Sequence, residues 1–387
     1  MRVFIPTGVY PPDVGGPATY VPLLEKYLPR YGFTVDVLPF RVVRFLPKGI
    51  SHLVYFFMAL ARAFRADIIY AQDAVSVGFP ARLASVIARK PFVVKIVGDH
   101  VWEQARQRFG VTEELDDFAL YQMGRPYLLF LRALQLFVVR GAKQVIVPGH
   151  YLKKIVMRWG VPEDHIEVVY NGVELPPVVH DPDIMIARPL IVSVGRLVPW
   201  KGFDEVIRAV SASPWHLTIV GDGPLRKELE SLAHSEGCGA RVHFTGLLPR
   251  EKLHGLLKVA DAFVLYSTYE GLPHVLIEAM ALGTPVVASD IEGNREVVTN
   301  GREGILVSSY DDRSARTARG LPSYDDRSAR KARGLFSGDV SALYDAIKET
   351  LENKEETQRR VTAARLRAAD FSVEQTMQGL VKVLHLL

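Results

Sequence analysis

Residues 262–288 read AFVLYSTYEGLPHVLIEAMALGTPVVA, and the fold class is legible in them. Residues 262–265 are a short apolar run of strand type, and 286–288 are another. Between them Pro273 suits the first turn of a helix, Gly283 suits the position after its last turn, and Pro285 cannot continue it. The spacing therefore predicts a helix over 273–282 that begins just after Glu270. Strand, loop, helix and strand in this order make a parallel crossover unit.

The same alternation extends in both directions. Strands are predicted at 2–5, 34–38, 67–70, 92–97, 144–147 and 166–169, and again at 190–194, 217–220, 242–244, 262–265, 286–288 and 305–307. Helical patterns lie near 17–30, 53–65, 76–88, 126–140 and 150–158, then 202–211, 224–235, 249–258, 273–282, 293–298 and 339–352. This is the α/β class. The 387 residues suit two or three domains. A stretch at 173–188 holds Pro176, Pro177 and Pro182 without any period and reads as a linker. Two α/β halves joined there predict a cleft, with ligands at the carboxyl ends of the strands.

Composition excludes several classes. Hydrophobic residues at 48% and charged residues at 23% rule out a disordered chain or a collagen. The one cysteine, Cys238, cannot form an intrachain bridge or a Cys-rich zinc site, so a reducing compartment is permitted. No apolar run reaches the ~18 residues a membrane span needs, and the run Arg2–Ile5 stops at Pro6. The expected location is the cytoplasm. The net charge of +4 is local: residues 308–336 hold six Arg and one Lys against four Asp, leaving +1 for the rest. A field suited to nucleic acid is not supported, and no nucleic-acid partner is expected.

Residues 309–322 recur as 323–336 with two changes in fourteen. Each copy has Asp at its start, Arg at its end and a closing Gly, which suits a short helix. The pair reads as a tandem duplication in a surface loop, with a basic patch for an anionic partner as the alternative.

Three segments carry chemistry. The first is the Glu270–Pro285 stretch, whose helix start offers backbone amides to an anion near Gly271, Leu272 and His274. Eight residues separate Glu270 from Glu278, ~12 Å along a helix axis with ~80° of rotation. That spacing fits two contacts on one elongated ligand better than the ~5–9.5 Å pair of a glycosidase. The second runs Val194-Gly195-Arg196-Leu197-Val198-Pro199-Trp200-Lys201-Gly202. Two cations after a strand, before a helix, suit a diphosphate. No Walker A pattern is present. The third is Gly8 to Ala18, where Gly15-Gly16 lets backbone amides approach a ligand.

Together these segments resemble the retaining glycosyltransferases of family 4. The likeness continues through Asn171-Gly172-Val173, Gly221-Asp222-Gly223-Pro224, Val242 to Gly246, Gly293 to Glu296 and Gly301 to Val307. It implies the GT-B architecture, two Rossmann-like parallel-sheet domains facing across a cleft. It implies residues 1–172 as the acceptor-side domain, 189–365 as the nucleotide-sugar domain, and 366–387 as a C-terminal helix packing back on the first. By the same resemblance Glu278 would hold the donor ribose, and Glu270, Gly271 and Leu272 the sugar and phosphate. Arg196 and Lys201 beside Gly195 would clamp the diphosphate, and Gly16 would approach it. The implied chemistry is metal-independent transfer, with retention, from a UDP- or GDP-sugar to a saccharide, a lipid-linked or a small-molecule acceptor. No cofactor is expected.

Two departures from the family pattern stand out. A His-Asp or His-Gly pair often ends its fourth strand, whereas here Gly98-Asp99-His100 follows. Asp99 or His100 is expected to contact the donor sugar or the acceptor. The duplicated 308–336 segment is read as an insertion outside the catalytic machinery. The apolar stripes at 53–64 and 128–139 suit core-facing helices, with contact to a membrane surface, at its inner face, as the alternative. The alternatives are a sugar-nucleotide epimerase on the same fold, which would isomerise a donor without acceptor, and a non-catalytic protein that binds anions through the insertion.

Overall fold

The computed structural model describes the chain apart from residues 14–15, 48, 112, 114, 119–124, 176–186 and 309–339. Gly15, most of the expected linker and nearly all of the duplicated segment thus lie outside the described residues. The chain forms two compact units, Met1–Gly172 with Ser372–Leu387, and Val173–Phe371.

In the first unit six parallel strands, β1 (Arg2–Thr7), β2 (Thr34–Pro39), β3 (Ile68–Ala71), β4 (Phe92–Lys95), β5 (Gln144–Val147) and β6 (Ile166–Val168), lie in the order β2-β1-β3-β4-β5-β6. All six coincide with the predicted runs to within two residues at either end. The helices are α1 (Gly16–Tyr27), α2 (Ile50–Ala63), α3 (Gly78–Ala88), α4 (His100–Phe109), α5 (Leu115–Phe118), α6 (Pro126–Arg140) and α7 (His150–Arg158). Right-handed crossovers place α1 on one face of this sheet and α2, α3 and α6 on the other. A final helix, Val373–His385, packs beside α1, and Met377, Leu380 and Leu384 join Tyr20, Val21 and Leu24 in one apolar cluster over Val3, Ile5 and Val93. The expected start of this returning segment at 366 is corrected to 372. Helix Lys354–Ala368 runs through 366 and stays with the second unit, where Arg365 donates to the Leu282 carbonyl and Arg367 to that of Glu296.

The second unit holds β7 (Leu190–Val194), β8 (His216–Val220), β9 (Val242–Gly246), β10 (Ala262–Leu265), β11 (Val286–Ser289) and β12 (Ile305–Val307), all parallel, in the order β12-β11-β10-β7-β8-β9. Its helices include α8 (Phe203–Ser211), α9 (Arg226–Ser235), α10 (Arg250–Val259), α11 (His274–Leu282), α12 (Glu292–Arg295) and Val340–Glu352. Helix α8 turns Phe203, Val206, Ile207 and Val210 onto the sheet, where they meet Leu343, Ile347 and Leu351. Each such side chain gains about 1.5–3 kcal/mol by leaving water, so a charge at Val206 would break this layer. The strand order is that of a dinucleotide-binding sheet. The chain leaves β7 toward β8 and β9, then crosses back to β10, so a crevice opens between the carboxyl ends of β7 and β10.

No helix among the described residues is long and apolar enough to cross a membrane.

Candidate functional site

The loops that follow β7 and β10 meet at this switch point. Gly202, between β7 and α8, has φ +61°, and a Cβ there would lie 2.1 Å from the Tyr266 carbonyl oxygen just after β10. Only glycine allows that approach. The Thr268 amide then donates to the Trp200 carbonyl at 2.9 Å. The Lys201 side chain runs past Gly195, where a Cβ would sit 3.5 Å from its Cδ. Its Nζ reaches Glu270 Oε1 at 2.6 Å, and the Ser267 hydroxyl donates to the same oxygen at 2.7 Å. Two predicted site residues, sixty-nine positions apart, are thus a single ion pair.

Arg196 follows Gly195 in the same loop as Lys201. It is exposed, its guanidinium 5.5 Å from the centroid of the Trp200 ring, and it has no acidic partner among the described residues. A stacked but unpaired guanidinium keeps its hydrogen-bond fork available to a phosphate.

Helix α11 opens beside Glu270. Pro273 is its N-cap, one position earlier than the first-turn place expected of it, and the His274 amide turns back to the Leu272 carbonyl at 3.0 Å. Gly271 and Leu272 are buried in the loop that enters the helix. Gly293 of α12 supports this loop from behind, because a Cβ on it would strike the Glu270 carbonyl at 2.0 Å. Asn294 and Ser289 tie the same layer together: Asn294 Nδ2 donates to the Ser289 carbonyl at 2.9 Å, and the Ser289 hydroxyl donates to the Ser267 carbonyl.

Glu278 lies on α11, nearly buried. Arg250 of α10 donates to its Oε1 at 2.6 Å, and His254, one turn further along α10, sits 3.4 Å from its Oε2. Burial pushes the Glu278 carboxyl upward, but His254 and Arg250 outweigh it and hold the group below its ordinary range. Neither Arg250 nor His254 was among the residues singled out in the sequence. Their i,i+4 spacing on one helix face is a faint signal, and their target is on a different helix.

In the first unit, Asp99 does not stand free as a sugar contact. It caps α4, with Oδ1 accepting from the amides of Val101 at 2.9 Å and Trp102 at 3.2 Å. Its Oδ2 lies 2.8 Å from Arg132 on α6, and the side chain is fully buried. Both oxygens serve the unit's interior, which leaves His100 as the exposed member of the expected Asp99-or-His100 pair. His100, the first residue of α4, is exposed. Gly16 is the first residue of α1. Buried Lys95, at the end of β4, lies over the Tyr20 ring at 3.3 Å.

Two Rossmann-like parallel sheets, one with cations and carboxylates gathered at its switch point, make up the GT-B architecture. Comparison with known proteins gives the family. A model described as Glycosyltransferase Family 4 matches residues 14–175, and one described as Glycosyl transferases group 1 matches residues 184–321. The chain belongs to the family 4 glycosyltransferases. It is 28% identical to an uncharacterized glycosyltransferase of Methanocaldococcus jannaschii, MJ1607, over 349 residues, covering 79% of this chain and 85% of that one. It is 37% identical over 145 residues to the GDP-mannose-dependent alpha-(1-6)-phosphatidylinositol monomannoside mannosyltransferase of Mycolicibacterium smegmatis, covering 34% and 38% of the two chains. The crystal structure of Anabaena HepE in complex with UDP superposes with a TM-score of 0.70 over 100% of both chains at 19% identity, a likeness of fold.

Proposed function

We propose that the protein transfers a sugar from a nucleoside-diphosphate sugar, UDP- or GDP-linked, to an acceptor with retention at the anomeric carbon. The observation that carries this reading is the Lys201–Glu270 ion pair with unpaired Arg196 beside it, at the crevice between β7 and β10. Cleavage of a sugar–phosphate bond leaves negative charge on the departing diphosphate. Arg196 and Lys201 would meet that charge already positioned, and the amides of Gly271 and Leu272 would add dipoles to it. This assignment needs no metal. Lys201 would exchange its contact with Glu270 for a phosphate oxygen, freeing the carboxylate to accept hydrogen bonds from the sugar hydroxyls. Glu278, kept ionised by Arg250 and His254, would accept from the ribose hydroxyls.

Retention follows if the acceptor attacks from the face the diphosphate leaves and passes its proton to a phosphate oxygen. Gly16 at the start of α1 would approach the donor, and His100 would be the first unit's contact. The acceptor would be a saccharide, a lipid-linked or a small molecule, met in the cytoplasm or at the inner face of its membrane. A thermal-shift screen against UDP, GDP and their sugars, followed by NMR of the product's anomeric proton, tests the reading. Stabilisation by a nucleotide sugar, with chelator-insensitive transfer and retained configuration, supports it. Isomerised donor without transfer, or an inverted product, overturns it.

A further inference from the structure

Helix α2 is built inside out. At 100° per residue, Ile50, Leu53, Phe57 and Phe64 fall within about 60° of one another, and all four are exposed, Phe57 and Phe64 at 59% each. The opposite face, turned to the sheet, carries Ser51, Tyr55, Ala59 and Ala63. An ordinary surface helix puts its charges where these phenylalanines stand. Phe45, in the turn before α2, is 81% exposed.

The pattern spreads over two neighbours. α2 packs on α3, and α3 packs on α6, where Phe79 meets Phe137 edge-on at 5.9 Å. α3 exposes Val86 and Ile87, and α6 exposes Leu129, Phe130 and Phe137. One side of the first unit's sheet is thus covered by three adjacent helices that all present large apolar side chains to solvent. Isolated exposed apolar residues are commonplace, but a joined surface of this kind marks an interaction site.

Charge identifies the occupant. Residues 40–65, 78–90 and 125–140 hold eleven Arg and Lys and no Asp or Glu. Arg132 is turned inward to Asp99, while Arg41, Arg44, Arg65, Arg89, Arg125 and Arg140 are exposed near the helix ends. Some have local partners: Arg44 pairs with Asp13, and Arg62 with Asp36. An apolar centre rimmed by cations, from segments that carry no acid and with Asp13 and Asp36 pairing Arg44 and Arg62 of the rim, matches a surface whose interior is hydrocarbon and whose headgroups are negative. We infer that the α2–α3–α6 face docks on an anionic lipid bilayer, with Phe57, Phe64 and Phe130 entering the headgroup–acyl boundary and the arginines contacting the phosphates. The docking involves no residue of the proposed donor site.

Flotation of the full chain with vesicles tests this, without nucleotide. Equimolar phosphatidylcholine and phosphatidylglycerol vesicles should carry the protein, and pure phosphatidylcholine vesicles should carry far less. The paired substitution Phe57→Ser/Phe64→Ser should lower the partition roughly tenfold or more, with the melting temperature and nucleotide binding unchanged. Arg65→Ala and Arg89→Ala should each weaken it about fivefold, and more in low salt than in high. Absence of flotation, equal binding to neutral vesicles, or binding indifferent to these substitutions overturns the inference. So does a concentration-dependent dimer in light scattering that Phe57→Ser dissociates, because the face would then be covered by a second copy.

Discussion

Replacing Arg250 by Ala isolates the device that holds Glu278. In the native protein the Arg250 guanidinium bridges Glu278 Oε1 at 2.6 Å and the Glu174 carbonyl at 3.1 Å, while His254 supplies the second contact 3.4 Å away. Removing one partner of a fully buried ion pair costs about 3–5 kcal/mol. Arg250 keeps 35% of its side chain in water, so solvent screening reduces the expected loss to about 1–2 kcal/mol. For a unit of this size that lowers the melting temperature by about 2–8 °C. The pH dependence has a definite sign. The folded Glu278 carboxyl lies below its unfolded value, so its contribution is present above that unfolded value and lost as pH falls through the lowered folded one. Without Arg250 burial is less opposed, the folded value rises, and this acid-linked loss shrinks. Donor KM should rise about tenfold with kcat changed less, since the carboxylate binds donor in ground and transition states alike. Scanning calorimetry and steady-state kinetics on Arg250→Ala, Glu278→Gln and the double variant give the coupling. Effects of the two substitutions that add to within about 0.3 kcal/mol would refute the reasoning, as would an unchanged donor KM in Arg250→Ala.

Other expectations follow from the same contacts. Lys201→Ala should lower kcat/KM by about a hundredfold or more, as loss of a preorganised charge does, and Lys201→Arg should restore only part of it in the same assay. Asp99→Ala should cost about 3 kcal/mol in urea unfolding, from the lost cap and the stranded buried Arg132, and should leave nucleotide affinity in titration calorimetry unchanged. Glu205 is buried at the start of α8, and burial, then its neighbour Asp204, raise its carboxyl far above the ordinary range. Its folded value exceeds its unfolded one, so stability falls as pH rises between the two. Glu205→Leu should therefore raise the melting temperature at pH 8 by several degrees and by less at pH 5; equal gains at both would show that packing alone is responsible.

The strands were legible because each is a short β-branched run bounded by turn residues, as in Gln144–Val147 and Ile305–Val307, found where expected. Three α-helices among the described residues escaped, the four-residue α5 and two longer ones, and the longer two did so for a physical reason. α4 buries only Val101, Trp102 and Ala105 among polar neighbours, and its cap, Asp99, reads equally as a reactive acid. Lys354–Ala368 is charged nearly all round and is laced with pairs such as Arg359–Glu355, so it has little apolar period to detect. At the site, Arg196, Lys201 and Glu270 were visible as loop residues following strands. Arg250 and His254 were not, because their role exists only once α10 lies against α11. The apolar stripes at 53–64 and 128–139 show how periodicity gives a face without saying which way it points: in α2 the phenylalanines look outward.

The first unit is sewn from the two ends of the sequence, and this reverses the usual order of events during synthesis. The apolar side of α1, with Tyr20, Val21 and Leu24, waits for Met377, Leu380 and Leu384. At 5–20 residues per second the ribosome needs roughly 20–70 s to deliver them. The second unit, encoded between, is finished first. The nascent amino-terminal half must spend that interval with a greasy flank unsealed, which makes it the part of the newborn chain a holdase would grasp.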